Sequence, residues 1–210
     1  MCDGRISGEV EPLIRDFCEL SPDEIEQYLG QSDLLIFGTD SFPAQARGNR
    51  EALGLNKAAI WLGLYQGARA GEIVYWVPGV TPACYRCICS ARYRAYTSVP
   101  APQHRSPLPI SSNGGTIFDL HLLDSIAGQI AVGILTRGSD DRFGRLIDQL
   151  GNRNFLQIKI DPAYTLGGKD IFRQYLGDHP ANFSFTTIAL QQEPEATCHD
   201  CQRFRQERAA

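Results

Sequence analysis

Apolar residues along the chain fall into short runs and stripes that can be read as elements. Asp33-Leu-Leu-Ile-Phe37 is an apolar run stopped by Gly38, the pattern of a buried parallel strand. Ala58 to Tyr65 and Glu72 to Val77 are rich in β-branched and aromatic residues and read as two further strands, the second closed by Pro78-Gly79. Phe155 to Ile160 and Phe183 to Leu190 alternate or run apolar in the same way. In Ile117 to Leu135, Leu120, Leu123, Ile126, Ile130 and Ile134 recur at spacings of three and four, the strongest helical signal in the chain. Glu11 to Gly30 reads as helical, with Ser21 and Glu24 forming a capping box. Ala-rich Ser41 to Leu55 suits a second helix, and Phe143 to Leu150 one or two turns more. Strands mixed with helices in this order predict an α/β fold, a mixed sheet with helices packed on it.

Between these elements the pattern breaks down. Ser90 to Gly115 holds four of the twelve prolines, several serines and Asn113-Gly-Gly115, and reads as a long surface loop. The charged segment after Cys201 is expected to fray. No internal repeat divides the sequence, so residues 1–210 are expected to form one domain. Within it, 1–30 is a helical lead-in, 31–89 holds the first strands and a cysteine pair, 90–115 is the loop, 116–201 carries the long helix, later strands and second cysteine pair, and 202–210 is a tail.

Composition narrows the class. A chain of 210 residues with 43% hydrophobic positions can bury a core without staples. The net charge of -4 argues against nucleic acid as the main partner. No stretch approaches ~18 uninterrupted apolar residues, so no membrane span is expected. The first eleven residues carry acids and glycines where a signal peptide needs an apolar run, which predicts a cytoplasmic location with reduced thiols.

Seven cysteines then need another role. Cys84 and Cys87 make one C-x-x-C pair; Cys198 and Cys201 make a second, about 110 residues on. Two such pairs can turn four thiolates to one point, the tetrahedral geometry of structural zinc. The separation excludes a small autonomous finger; the metal instead pins the C-terminal segment to the end of a strand. A redox-active pair is disfavoured because neither C-x-x-C is expected to open a helix after a strand. Cys89 and His199 are alternative ligands beside the favoured four.

The segment Asp33-Leu-Leu-Ile-Phe-Gly-Thr-Asp-Ser41, with Arg47, Asn49 and Trp61-Leu-Gly-Leu-Tyr65, and the segment Gly71-Glu-Ile-Val-Tyr-Trp-Val-Pro-Gly-Val-Thr-Pro-Ala-Cys-Tyr-Arg-Cys87 together resemble the ThiF/HesA/MoeB family, bacterial relatives of ubiquitin-activating enzymes. The resemblance covers Asp33 to Cys87 well and returns at Cys198 to Cys201. Ala83 stands where the family often has proline. The resemblance implies an incomplete Rossmann-like fold with a four-cysteine zinc site. It also implies ATP-dependent adenylation of the C-terminal glycine of a ubiquitin-like or sulfur-carrier protein. Asp40 would hold the magnesium of Mg-ATP at the carboxyl edge of the sheet, and Arg47 and Asn49 would line the nucleotide pocket. Without the resemblance, Asp40 reads as a helix N-cap, and Arg47 and Asn49 as a solvated helix face.

One part of that machinery is absent from the sequence. A Gly-x-Gly-x-x-Gly phosphate loop is not found, and Gly167-Gly-Lys169 lacks the upstream glycine and the hydroxyl residue of a P-loop. The chain is therefore expected to be a C-terminal portion, one half of a two-chain enzyme, or a relative that binds partners without ATP chemistry. Exposed sheet edges predict a homo- or hetero-oligomer. The alternative function is a non-catalytic zinc-binding scaffold. No cysteine lies within 90–115 to accept a thioester, Cys89 being the nearest thiol; an enzyme that only adenylates needs none. Arg92, Arg94 and Arg105 could meet an acidic carrier protein. Asp119 and His121 lie two apart and share no helix face, and no Gly-x-Ser-x-Gly elbow is present, which disfavours a hydrolase. Tyr164 reads as a packing residue.

Overall fold

The computed structural model describes residues 8–98, 115–165, 168–177, 185–202 and 204. Among the described residues five strands form one mixed sheet in sequential order: β1 (Leu34–Phe37), β2 (Ala58–Leu64), β3 (Ala70–Trp76), β4 (Phe155–Lys159) and β5 (Thr186–Leu190). Only β1 and β2 run parallel, joined through helix α2 (Phe42–Gly54) as a β–α–β unit. The remaining neighbours pair antiparallel.

The pleat sorts the side chains onto two faces. Phe37, Trp61, Val74 and Phe155 stand in register across β1 to β4 and share one face. They pack with α2, with the one-turn helix α3 (Tyr85–Ile88) and with α4 (Ser90–Ser98), in a core that also contains Cys84, Cys87, Cys198 and Cys201. Ile60, Ile73, Tyr75, Leu156 and Ile158 occupy the other face, under α5 (Ile117–Leu135) and α6 (Leu146–Leu150).

Local chemistry explains most boundaries. Helix α1 (Pro22–Leu29) opens with the expected capping box: Ser21 Oγ accepts from Glu24 N, and Glu24 accepts from Ser21 N at 2.8 Å. Residues 11–16 ahead of it are not helical, and a short 3-10 turn at Phe17–Glu19 intervenes, so the helical lead-in is shorter than its pattern predicts. Helix α2 lies tight on the sheet; a Cβ added at Gly48 would come within 2.6 Å of the Phe37 ring. Helix α5 opens with a second capping box in which Thr116 N donates to Asp119 at 2.7 Å, so Asp119 is a cap and exposed His121 has no part with it. Leu123, Ala127, Ile130 and Gly133 seat α5 on the sheet. Burying a leucine or isoleucine there stabilises by roughly 1.5–3 kcal/mol.

Several expectations are corrected. Ser90–Ser98 is helix, not loop; its only buried residue is Tyr93, so it shows no apolar stripe. The rest of the expected loop, including Arg105, lies outside the described residues. Cys84 is the N-cap of α3 and residues 199–202 are helical, so both C-x-x-C pairs do open helical turns. A further helix, α7 (Ile171–Leu176), has no periodic pattern to announce it. Within the tail, Phe204 packs edge-on against Trp76 at 5.8 Å between ring centres, and 203 and 205–210 lie outside the described residues. Helix α5 is long and apolar enough to cross a membrane by length and composition, which a test of uninterrupted apolar runs passes over.

Candidate metal centre and adjoining cavity

The loop after β3 carries Cys84 and Cys87 onto α3, and the C-terminal segment brings Cys198 and Cys201 to the same point. All four thiols are buried and their sulfurs lie within 4.8 Å of one another. Cys84 and Cys87 are 3.7 Å apart, as are Cys84 and Cys198, and Cys87 and Cys201. Cys84 and Cys201 are 3.3 Å apart. A tetrahedron with metal–sulfur bonds of about 2.3 Å has edges of about 3.8 Å, whereas a disulfide needs about 2.05 Å. The spacing therefore fits four ligands around one ion, compatible with zinc, and no disulfide joins these cysteines. Contact with Cys198 pushes the Cys84 and Cys201 thiols up, while contact with Cys201 pulls Cys198 down. Four sulfurs this close cannot all ionise unless a cation joins them.

Around the sulfurs lies a set of buried polar groups. Asn49 of α2 is fully buried; its Nδ2 donates to Asp200 at 2.8 Å and points at Cys84 Sγ at 3.7 Å, and its Oδ1 accepts from Tyr85 N at 3.0 Å. Arg86 Nη1 donates to Asp200 at 3.0 Å. The alternative ligands stay outside: Cys89 is buried against Arg92, its thiol pushed up by burial, and His199 is exposed.

Asp40 sits at the carboxyl end of β1, exposed, on a cavity of about 500 Å³ that also includes Thr39, Gln45, Gly63, Leu123 and Asp124. Ser41 holds the N-cap position of α2, so Asp40 is not the cap. The structure does not bring Arg47 or Asn49 to this cavity. Arg47 donates to the Leu20 carbonyl at 2.5 Å and to Glu51 at 3.2 Å, and its guanidinium lies over the Phe17 ring. One chain of hydrogen bonds does connect the two places. Tyr85 hydroxyl donates to Gln45 Oε1 at 2.5 Å, and Gln45 Nε2 donates to the Thr39 carbonyl at 2.6 Å.

A second cavity, of about 180 Å³, shares Gln45, Gly63 and Leu64 with the first and continues to Tyr65, Glu72 and Arg92. Beside it a polar row crosses the otherwise apolar sheet. Buried Glu72 pairs with Arg92 and accepts from Tyr65 at 2.5 Å; Gln157 donates to Tyr65 at 2.7 Å; buried Lys159 pairs with Asp170 at 3.0 Å. Burial and then Glu72 hold the Tyr65 hydroxyl far above its ordinary range. Arg92 is thus committed inside the domain, while Arg94 is exposed and only 3.8 Å from Glu195. Tyr164 stacks on Tyr65 at 5.8 Å, as a packing residue would, and its hydroxyl is pushed up to about 12 by burial and by Glu72. The sequence signal for this row is the polar residue at every second position of β4, Gln157 and Lys159.

No family model matches the sequence, and no curated protein matches it. Among the solved structures that match, E. coli MccB with selenomethionine MccA aligns over 90% of this chain and 43% of that chain, at 13% identity and a TM-score of 0.47. The chain thus spans less than half the length of that protein.

Proposed function

We propose that this chain is the zinc-bearing part of an activating system of the ThiF/HesA/MoeB kind, which adenylates the C-terminal glycine of a ubiquitin-like or sulfur-carrier protein. The observation that carries the reading is the meeting of two C-x-x-C pairs at one four-sulfur point beside a β–α–β unit whose first strand delivers Asp40 to an open cavity. Zinc at the four cysteines is structural, because all four positions are filled by protein sulfur and none is left for substrate. Asp40 would hold magnesium, which would offset the charge of the departing pyrophosphate. In that reaction a carboxylate oxygen bonds to the α-phosphorus of ATP as the bond to pyrophosphate breaks. Arg47 and Asn49 make contacts that favour structural duties, so the proposal keeps Asp40 alone facing ligand. The phosphates need donors from another segment or subunit, since the Gly-x-Gly-x-x-Gly loop is not among these 210 residues.

Calorimetric titration of the zinc-loaded chain with Mg-ATP tests this. Binding is expected, and loss of at least tenfold in affinity in Asp40→Ala. Absence of binding by the unaltered chain overturns the catalytic reading for this chain alone. The engagement of Arg47 and Asn49 inside the domain favours a second reading, a non-catalytic scaffold that binds the carrier. Carrier binding indifferent to Mg-ATP would select it.

A further inference from the structure

The two C-x-x-C loops carry complementary middle residues. Tyr85 and Arg86 lie between the first pair of cysteines, His199 and Asp200 between the second. The Asp200 carboxyl group is 1% exposed, and a buried carboxylate is strongly unfavourable unless both oxygens are engaged. Both are: Oδ1 accepts from Arg86 at 3.0 Å, and Oδ2 accepts from Asn49 at 2.8 Å. The same Asn49 accepts from the Tyr85 backbone at 3.0 Å and turns its Nδ2 towards Cys84 Sγ. Three residues from three distant segments thus join the two loops without any metal. None is among the four clustered ligands.

We propose that Asn49, Arg86 and Asp200 are positioning residues for the metal: a clamp that holds the two cysteine loops in register and fixes the direction of the Cys84 sulfur. The inference rests on the reading of the four cysteines as a zinc site. Clamping beforehand lowers the ordering cost of binding, because the sulfurs need not be gathered from a free C-terminal segment. Helix α2, which supplies no ligand, thereby controls metal affinity through its residue 49. Removing an outer partner of this kind typically costs 10–100-fold in metal affinity.

The test uses the full chain, with Zn(II) affinity measured by competition against a chromophoric chelator and Co(II) titrated as a spectroscopic stand-in. Arg86→Leu and Asp200→Asn are expected to lose about 10–100-fold in Zn(II) affinity, and Arg86→Lys to restore most of it. The Co(II) spectrum of each should keep its four-sulfur pattern, while Asn49→Ala should shift the sulfur-to-cobalt charge-transfer band. A general loss of packing would not move that band. If buried Asn49→Ala does not fold, Arg86, which is 32% exposed, still carries the affinity test. Wild-type affinity in Arg86→Leu and Asp200→Asn would overturn the clamp while leaving the metal centre standing. Failure of the unaltered chain to bind either ion would overturn the zinc reading itself.

Discussion

The two faces of the sheet are held in different ways. Under α5 the core is mostly aliphatic, with strand residues covered by one contiguous helix whose buried residues recur at helical spacing. Under α2, α3 and α4 the core is aromatic and sulfur-rich, and gathers segments from Phe37 to Cys201. The first face depends on many small contacts. The second depends on a junction where a buried carboxylate, an amide and four thiols must all find partners. A helix that packs by periodicity tolerates the loss of one contact; a junction of polar groups in a dry interior does not. The candidate ligand cavity at Asp40 borders both faces, with Leu123 from α5 on one side and Gln45 of α2 on the other.

The largest expected effect is removal of the metal. Structural zinc sites bind with roughly 10 kcal/mol or more, so chelation should lower the stability of the chain by at least several kcal/mol. Hydrogen exchange should show the loss unevenly, with the amides of α2, α3 and β1 losing protection while the middle of α5 keeps most of its own. Equal loss on both faces would mean that the sheet unfolds as one unit and that the division drawn above has no energetic meaning.

A matched pair of glycines probes packing on each side. A Cβ at Gly48 would meet three atoms of the Phe37 ring at 2.6–2.8 Å. At Gly71 it would meet Leu123 Cδ1 at 3.2 Å, and the Gly63 carbonyl oxygen and Leu64 Cδ2 at 3.3 Å. Gly48→Ala should therefore destabilise by about 1–3 kcal/mol even after its gain in helix propensity. Gly71→Ala should cost less, because each of these approaches is longer than those at Gly48. Chemical denaturation of both variants measures the order, and a larger loss at Gly71 would contradict it.

This contrast also explains what could be read from sequence. All five strands and α5 were legible, because each carries its apolar pattern within a single segment. The four cysteines were legible by type and spacing. Helix α4 was not, since its anchor is the pair between Arg92 and Glu72, twenty residues earlier, and no apolar stripe announces it. Arg47 and Asn49 were assigned together to a nucleotide pocket by resemblance. Two positions apart on one helix, they point to different sides, and the structure sends one to Leu20 and Glu51 and the other to the cysteine cluster. The partners of Asn49, above all Asp200, are distant in sequence and give no local sign.

The smallest effect concerns α1, whose partly buried Leu29 packs against the metal-side core. Hydrogen bonds from the Ser21 backbone and hydroxyl hold the Glu24 carboxylate below its ordinary range, with Arg15 adding to them. A carboxylate lowered in the folded state adds stability that is fully present above its unfolded pKa and is lost as pH falls through the folded value. Glu24→Gln should therefore melt slightly below the unaltered chain near neutral pH, and the two melting curves should converge in acid. Its Zn(II) affinity at neutral pH should match that of the unaltered chain, because the cap acts on α1 alone. A Glu24→Gln chain that bound zinc more weakly would show that the clamp at Asn49 extends through Arg47 and Leu20 into the first helix. The boundary between local helix stability and the metal junction would then have to be drawn around α1 as well.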